Sequence, residues 1–240
     1  MQRVLITGAS RGIGLELARQ YLAQGEQVFA GARNPEKAQG LQELKTKYPD
    51  RLFPVALDVA EATSIEKSYQ SVREHAEGLE VLINNAAINA YTDAGGSAQH
   101  NRLGQLDSEA MLGMFQINSV APLMIVQRYL DLLKAGKQAK IINITSQSGS
   151  LADQRGNSDY SYCASKAALN MLTRILAFDV MKFGILAVMV HPGWVQTDMG
   201  GPSATLTPEE SVQGMLKLIG RLRPKDAGRF FDWNGAEHRW

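Results

Sequence analysis

The sequence has 240 residues, 25 of them basic and 24 acidic, a length that suits one large core and is short for two domains with a cleft between them. The near-neutral balance excludes the electrostatic footprint of nucleic-acid or anionic-membrane binding and favours small partners. A single cysteine, Cys163, excludes an internal disulfide framework, and the four histidines lack metal-site spacing, so no metal and a cytoplasmic setting are expected.

The chain opens Met1-Gln2-Arg3 and passes at once into Val4-Leu5-Ile6, which leaves no room for a signal peptide. No unbroken apolar stretch approaches the ~18 to 20 residues that span a bilayer, so no membrane partner is expected. Short β-branched and apolar runs recur at Val4-Leu5-Ile6, Val28-Phe29-Ala30, Phe53-Pro54-Val55, Val81-Leu82-Ile83, Ile141 to Ile144, Ile185 to Val190 and Phe230-Phe231. These are signatures of buried strands. Between them lie helically spaced sets such as Leu15, Ala18, Leu22 and Leu41, Leu44, Tyr48. Asn34-Pro35-Glu36 and Thr207-Pro208-Glu209-Glu210 each place a capping residue before a first-turn proline, and the second also reads as a capping box.

Strands alternating with crossover helices predict an α/β fold: one doubly wound, Rossmann-type domain over 1–240, with about seven parallel strands and helices on both faces. Such folds bind ligands beyond the carboxyl ends of the strands. The stretch Ile88 to Gln105, with Gly95-Gly96 and little periodicity, reads equally as a solvated loop or as a rim of that cleft.

The first strand runs into Thr7-Gly8-Ala9-Ser10-Arg11-Gly12-Ile13-Gly14 and then a helix. Gly8 permits a tight turn, Gly12 a close approach to a pyrophosphate, and Gly14 close packing of helix on strand, with the helix N-terminus facing the phosphates. Where an NAD enzyme holds an acid after its second strand, this chain has Gly31-Ala32-Arg33-Asn34. Arg33 can fork onto a 2′-phosphate, with Arg11 assisting from the glycine loop, so NADP(H) is expected ahead of NAD(H). Leu57-Asp58-Val59 and Asn84-Asn85-Ala86-Ala87 end the third and fourth strands beside the adenine and ribose; Asp58 can bond the adenine, and Asn84 can hold the strand ends in place.

Of seven tyrosines, Tyr162 alone is followed four residues on by a lysine, Lys166. A helix beginning near Ser161 puts the two one turn apart on one face, and the preceding strand ends in Ile144-Thr145-Ser146. A tyrosine of ordinary pKa near ~10 exchanges protons poorly at neutral pH, and the charge of Lys166 is expected to bring it toward the working range.

With these motifs in this order, together with Asn118, Pro192-Gly193 and the loop His191-Pro192-Gly193-Trp194-Val195-Gln196-Thr197, the chain resembles the short-chain dehydrogenase/reductase family over essentially its whole length. Gly31-Ala32-Arg33-Asn34-Pro35, Thr197-Asp198-Met199-Gly200-Gly201 and Phe230 to Gly235 narrow the resemblance to the sniffer-type and C-factor-like carbonyl reductases. The resemblance implies that Ser146 orients the substrate oxygen, Tyr162 exchanges its proton, Lys166 also binds the nicotinamide ribose, and Asn118 helps hold a water that feeds Lys166. It adds Val195 backbone groups and the Thr197 hydroxyl near the nicotinamide, leaves His191 a structural residue, and assigns 193–207 to substrate binding. Two departures stand out: Ala87 replaces the usual glycine, and Ser146 lies sixteen residues before Tyr162, farther than is common.

The expected activity is hydride transfer between NADP(H) and a small carbonyl or alcohol; the alternative is an NADP-binding sensor or signalling protein without turnover. An epimerase or dehydratase would need a larger substrate domain than the forty or so residues after Thr197. The apolar surplus of Ser108 to Ala135 and Ser161 to Phe183 matches helices that the family commonly pairs, so a homodimer or homotetramer is expected.

Overall fold

The computed structural model describes residues 1–89, 103–154, 156 and 159–240. One sheet contains β1 (Arg3–Thr7), β2 (Gln27–Ala32), β3 (Leu52–Ala56), β4 (Val81–Asn84), β5 (Lys140–Ile144), β6 (Leu186–His191) and β7 (Phe230–Asp232). Their order is β3-β2-β1-β4-β5-β6-β7, and every neighbouring pair is parallel. The helices are α1 (Gly12–Ala23), α2 (Gln39–Lys47), α3 (Ala62–Arg73), α4 (Ser108–Phe115), α5 (Ala121–Arg128), α6 (Leu130–Ala135), α7 (Tyr160–Met181) and α8 (Pro208–Arg221).

Strand periodicity sorts the core into two layers. Val4 and Ile6 of β1 pack with Leu17 and Leu22 of α1, Leu41 of α2 and Met215 of α8. Leu5, between them, packs on the opposite face with Tyr69 of α3, Ile125 of α5, Leu133 of α6 and Val180 of α7. Each large aliphatic side chain buried in this way contributes about 1.5–3 kcal/mol. Pro54 sits on β3, at the sheet edge, where its missing N–H disrupts no inner ladder. After β3 the chain crosses to the far side of β1 to form β4, so the connections leaving β1 and β4 part in opposite directions and open a crevice at their carboxyl ends.

Several local expectations change in the tertiary setting. Thr207 and Glu210 form the reciprocal capping box, with bonds of 3.2 and 2.9 Å. Asn34 instead makes no side-chain cap: Pro35–Lys37 is a single 3-10 turn, and α2 starts only at Gln39. The segment from Ser108 to Ala135 is broken by a π-helical turn over Gln116–Val120 and again at Tyr129. Its continuous run Ser108–Arg128 is long and apolar enough to cross a membrane by length and composition, contrary to the expectation from unbroken apolar strings. The helix averages over Gln116, Asn118 and Ser119, which interrupt the string, and its buried Asn118, Ser119, Ile125 and Val126 face the interior.

β7 is not left as a bare edge. After a turn at Asn234-Gly235, the chain folds back antiparallel, with Asp232 N donating to Ala236 O and His238 N to Phe230 O, both at 2.8 Å.

Candidate active site

A cavity of about 760 Å³ opens over the carboxyl ends of the strands, within the size range of small-molecule and cofactor sites. Gly8, Ser10, Arg11, Gly12 and Ile13 line one wall. Gly8 has φ +65°, and a Cβ there would come within 2.8 Å of Ala86 Cα. Gly14 stands behind the wall, where a Cβ would lie 2.2 Å from Gly8 O, so the helix can meet the loop this closely only with glycine. α1 starts at Gly12 with no side-chain cap and no acid in its first turn, leaving its leading N–H groups for an anion.

At the end of β2, Arg33 and Asn34 are exposed and line the cavity, with no acid among them. Lys37, which sequence reasoning missed, lines it too; the Pro35 turn turns it toward the same end, and proline after a strand-end arginine was the available signal. Arg11 also lines the cavity, and its Nη1 pairs at 2.7 Å with Asp198 Oδ2, both side chains largely exposed, which links the glycine loop to the segment after β6.

Asp58 and Val59 line the cavity beyond β3. The Asp58 Oδ1 accepts from Ala60 N at 3.0 Å, and its own N–H donates to Ser64 Oγ. Asn85 shares the strand-end role expected of Asn84, its Nδ2 donating to Thr7 O and Gly8 O at 3.0 and 3.1 Å. The backbone N–H groups of Asn85 and Ala86 both reach Thr7 Oγ1 at 3.0 Å. Asn84 still belongs to β4 and turns sideways, donating to Asn143 Oδ1 on β5 at 2.8 Å. Asn84 thus ties β4 to β5 and to Pro122 O at 3.4 Å, while Asn85, one residue on, ties β4 to the glycine loop.

At the other end of the cavity, Asp159 Oδ1 accepts from Tyr162 N at 2.9 Å and starts α7. One turn on, Lys166, only 2% exposed, donates to Ile144 O at 3.0 Å, and its Nζ lies 5.8 Å from the centre of the Tyr162 ring. Ser146, just behind the wall, accepts from Ser148 N at 3.1 Å and lies near enough to the Tyr162 phenol to favour its ionised form. Burial pushes Tyr162 up to about 12 against the opposing effect of Ser146, and pulls Lys166 down to about 7. The expected lowering of Tyr162 by Lys166 is therefore absent. Both groups sit where desolvation disfavours their charged forms, and at neutral pH the phenol stands protonated.

Asn118 is fully buried in the π-helical turn. Its amide clamps Ile88 in both directions, at 2.9 Å each, and donates to Ser165 Oγ on α7 at 3.1 Å. It thereby ties the chain leaving β4 to the helix that carries Tyr162. Of the stretch Ile88 to Gln105, residues 90–102 lie outside those described.

Beyond β6, Pro192 and Thr197 line the cavity, while Gly193 and Val195 stand behind it. Pro192 O accepts from Ser211 Oγ at 2.6 Å, and Gly193, with φ +83°, packs under Leu206 and Trp233. The Thr197 hydroxyl is held within the loop, donating to Val195 O and accepting from Gly200 N. Val195 pairs with Leu206, which closes the 193–207 segment on itself. His191 is buried, and burial holds it down to about 4, so it is neutral at physiological pH.

The cleft thus joins an anion-binding helix end and exposed cations to buried Ser146 and Lys166 and a half-buried Tyr162, an arrangement suited to a phosphorylated dinucleotide and proton transfer. Comparisons with known proteins agree with it. The sequence profile of the short chain dehydrogenase family matches residues 2–206. The C-signal protein of Myxococcus xanthus is 43% identical over 162 residues, 68% of this chain and 93% of that protein. The structure of NADPH-bound carbonyl reductase from chicken fatty liver superimposes with a TM-score of 0.90 at 41% identity, covering 100% of this chain and 99% of that one. The carbonyl reductase Sniffer of Drosophila melanogaster gives 0.91 at 33% identity and covers all of both chains.

Proposed function

Because the chain belongs to the short-chain dehydrogenase family, we propose that it is an NADP(H)-dependent carbonyl reductase. The observation that carries this reading is the meeting, in one cleft, of Tyr162 and Lys166, beside Ser146, with a β2 end that offers Arg33 and no acid. The chicken-liver relative holds NADPH, and the residues here fit the same group. The leading N–H groups of α1 receive the pyrophosphate, Arg33 and Lys37 the 2′-phosphate, and Asp58 with Val59 the adenine side. Asn85 and Ala86 hold the floor under the ribose. The segment Pro192 to Thr197, with Gly193 and Val195 shaping its turn, faces the nicotinamide.

NADPH supplies the hydride. Ser146 positions the carbonyl oxygen of a small substrate, and Tyr162 donates its proton to that oxygen. The phenol is protonated when substrate arrives, as a donor must be, and Ser146 favours the phenolate left behind, offsetting part of the cost that burial puts on proton release. Lys166, near neutrality in affinity, holds the ribose and returns a proton toward Tyr162, with Asn118 keeping a water path in place. A sensor without turnover needs none of this proton machinery.

The test is NADPH oxidation against a panel of carbonyl compounds. Turnover that Tyr162→Phe abolishes is expected, whereas tight NADPH binding with no turnover on any compound refutes the reading. The single cysteine is consistent with a cytoplasmic protein, and no nucleic acid or membrane is among its partners in this reading. The protein acts as a homodimer or homotetramer. The support is an exposed stripe of Met171, Ile175 and Phe178 on α7 beside Leu112, Val120 and Met124 of the α4 to α5 run. Light scattering at micromolar concentration should return at least twice 26.3 kDa, and a monomeric mass would refute it.

A further inference from the structure

The connection from Ser146 to Tyr162 packs against the segment that follows β7. Ala152 N donates to Trp240 O at 2.7 Å. Arg239 Nη2 pairs with Asp153 Oδ1 at 2.6 Å. His238, its side chain only 12% exposed, lies between two carboxylates: Nδ1 is 2.9 Å from Asp232 Oδ1, and Nε2 is 3.2 Å from Asp153 Oδ2. The second contact is a close approach outside hydrogen-bond geometry. On its other side the His238 ring meets His191, with centroids 6.0 Å apart, at the strand end that leads into Pro192-Gly193.

From Asp153 the contacts run inward to the reacting groups. Asp153 N donates to Ser150 Oγ, Ser150 N to Gln147 O, and Ser148 N to the Ser146 hydroxyl. The neighbouring Gln154 amide spans Ser148 O at 3.0 Å and Cys163 Sγ at 3.3 Å, the latter next to Tyr162. None of these side chains lies in the cofactor wall.

Resting on the reductase reading, we infer that His238 and Asp153 are positioning residues: the segment after β7 clasps the Ser146–Tyr162 connection and holds Ser146 and Tyr162 in register for the substrate carbonyl. The clasp acts on the substrate side alone. Loosening it displaces the hydroxyl pair while leaving the glycine loop and the β2 end untouched.

Two readouts on the full-length protein test this. The first is independent of activity: Cys163 is the single cysteine of the chain, so its rate of reaction with a disulfide reagent reports how firmly Gln154 and its loop are held. His238→Ala and Asp153→Ala should each raise that rate about tenfold through local opening, with Tm little changed, and the double variant should go no further than the worse single one. The second readout is kinetic. In the two alanine variants kcat/KM for carbonyl substrates should fall roughly tenfold to a hundredfold, as for small misplacement of reacting groups, while NADPH binding measured by fluorescence stays at the wild-type value. Unchanged thiol rates overturn the clasp, and raised thiol rates with unchanged kcat/KM overturn its positioning role. A wild-type protein that reduces no carbonyl overturns the reductase reading alone, and the thiol rates still decide the clasp.

Discussion

The two ends of the cleft are built from different materials. The cofactor end is backbone and solvent: leading N–H groups of α1, glycines with no room for a side chain, and exposed Arg33 and Lys37. The reacting end is buried and half-buried side chains whose ionisation is set by their surroundings, with Lys166 drawn down and Tyr162 pushed up by desolvation. One end recognises a charge that arrives with its ligand; the other disfavours charge on its own groups. Substitutions at the two ends should therefore separate in size and in what they change.

The largest effect belongs to the reacting end. Tyr162→Phe keeps the packing and removes the proton donor, so kcat for carbonyl reduction should fall by about 10²–10⁴-fold with NADPH affinity preserved. A variant retaining normal turnover across the carbonyl panel would show that the proton comes from elsewhere.

Lys166→Met should also nearly abolish turnover, and it carries a second signature. In the folded protein Lys166 sits at about 7, below its ordinary value of 10.5, so between those limits the unfolded chain binds more protons than the folded one. Stability contributed by this group therefore rises as pH rises from about 7 toward 10.5. Thermal unfolding of the wild type should reflect that rise, and Lys166→Met should lack it. Equal pH dependence in the two proteins would contradict the burial assigned to this lysine.

At the cofactor end the changes are smaller and concern affinity. Arg33→Ala should weaken kcat/KM for NADPH by about tenfold to a hundredfold, the range of a charged hydrogen bond, with NADH little affected. A loss shared equally by the two cofactors would mean that Arg33 does not meet the 2′-phosphate. The smallest effect is expected at the Arg11–Asp198 pair, which is exposed and so worth only about 0–1 kcal/mol. Asp198→Ala should change NADPH binding by less than about fivefold, with the difference shrinking in high salt.

The same contrast explains which residues could be located from the chain alone. Gly8, Gly12 and Gly14 were legible because their spacing and the adjoining strand and helix are all local. Tyr162 and Lys166 were legible because four residues is one helical turn, and Thr207 with Glu210 because a capping box closes within four residues. Lys37 was missed because a 3-10 turn, not a helix, follows Asn34. Asn84 braces the strand ends as expected, but the second brace at Asn85 was not legible, because its partners Thr7 and Gly8 lie 78 and 77 residues away.

Alternating strands and helices, the parallel sheet they must form, the glycine loop and the Tyr/Lys turn are therefore properties of the linear chain, since each depends on a periodicity or spacing within a few residues. The protonation of Tyr162 and Lys166, the engagement of Arg11 by Asp198, and the grip of His238 on Asp153 depend on groups 85 to 187 residues apart or on the summed burial of several elements. Desolvation and long-range pairing have no period to read, so these features came into being only when the sheet and its covering helices were assembled.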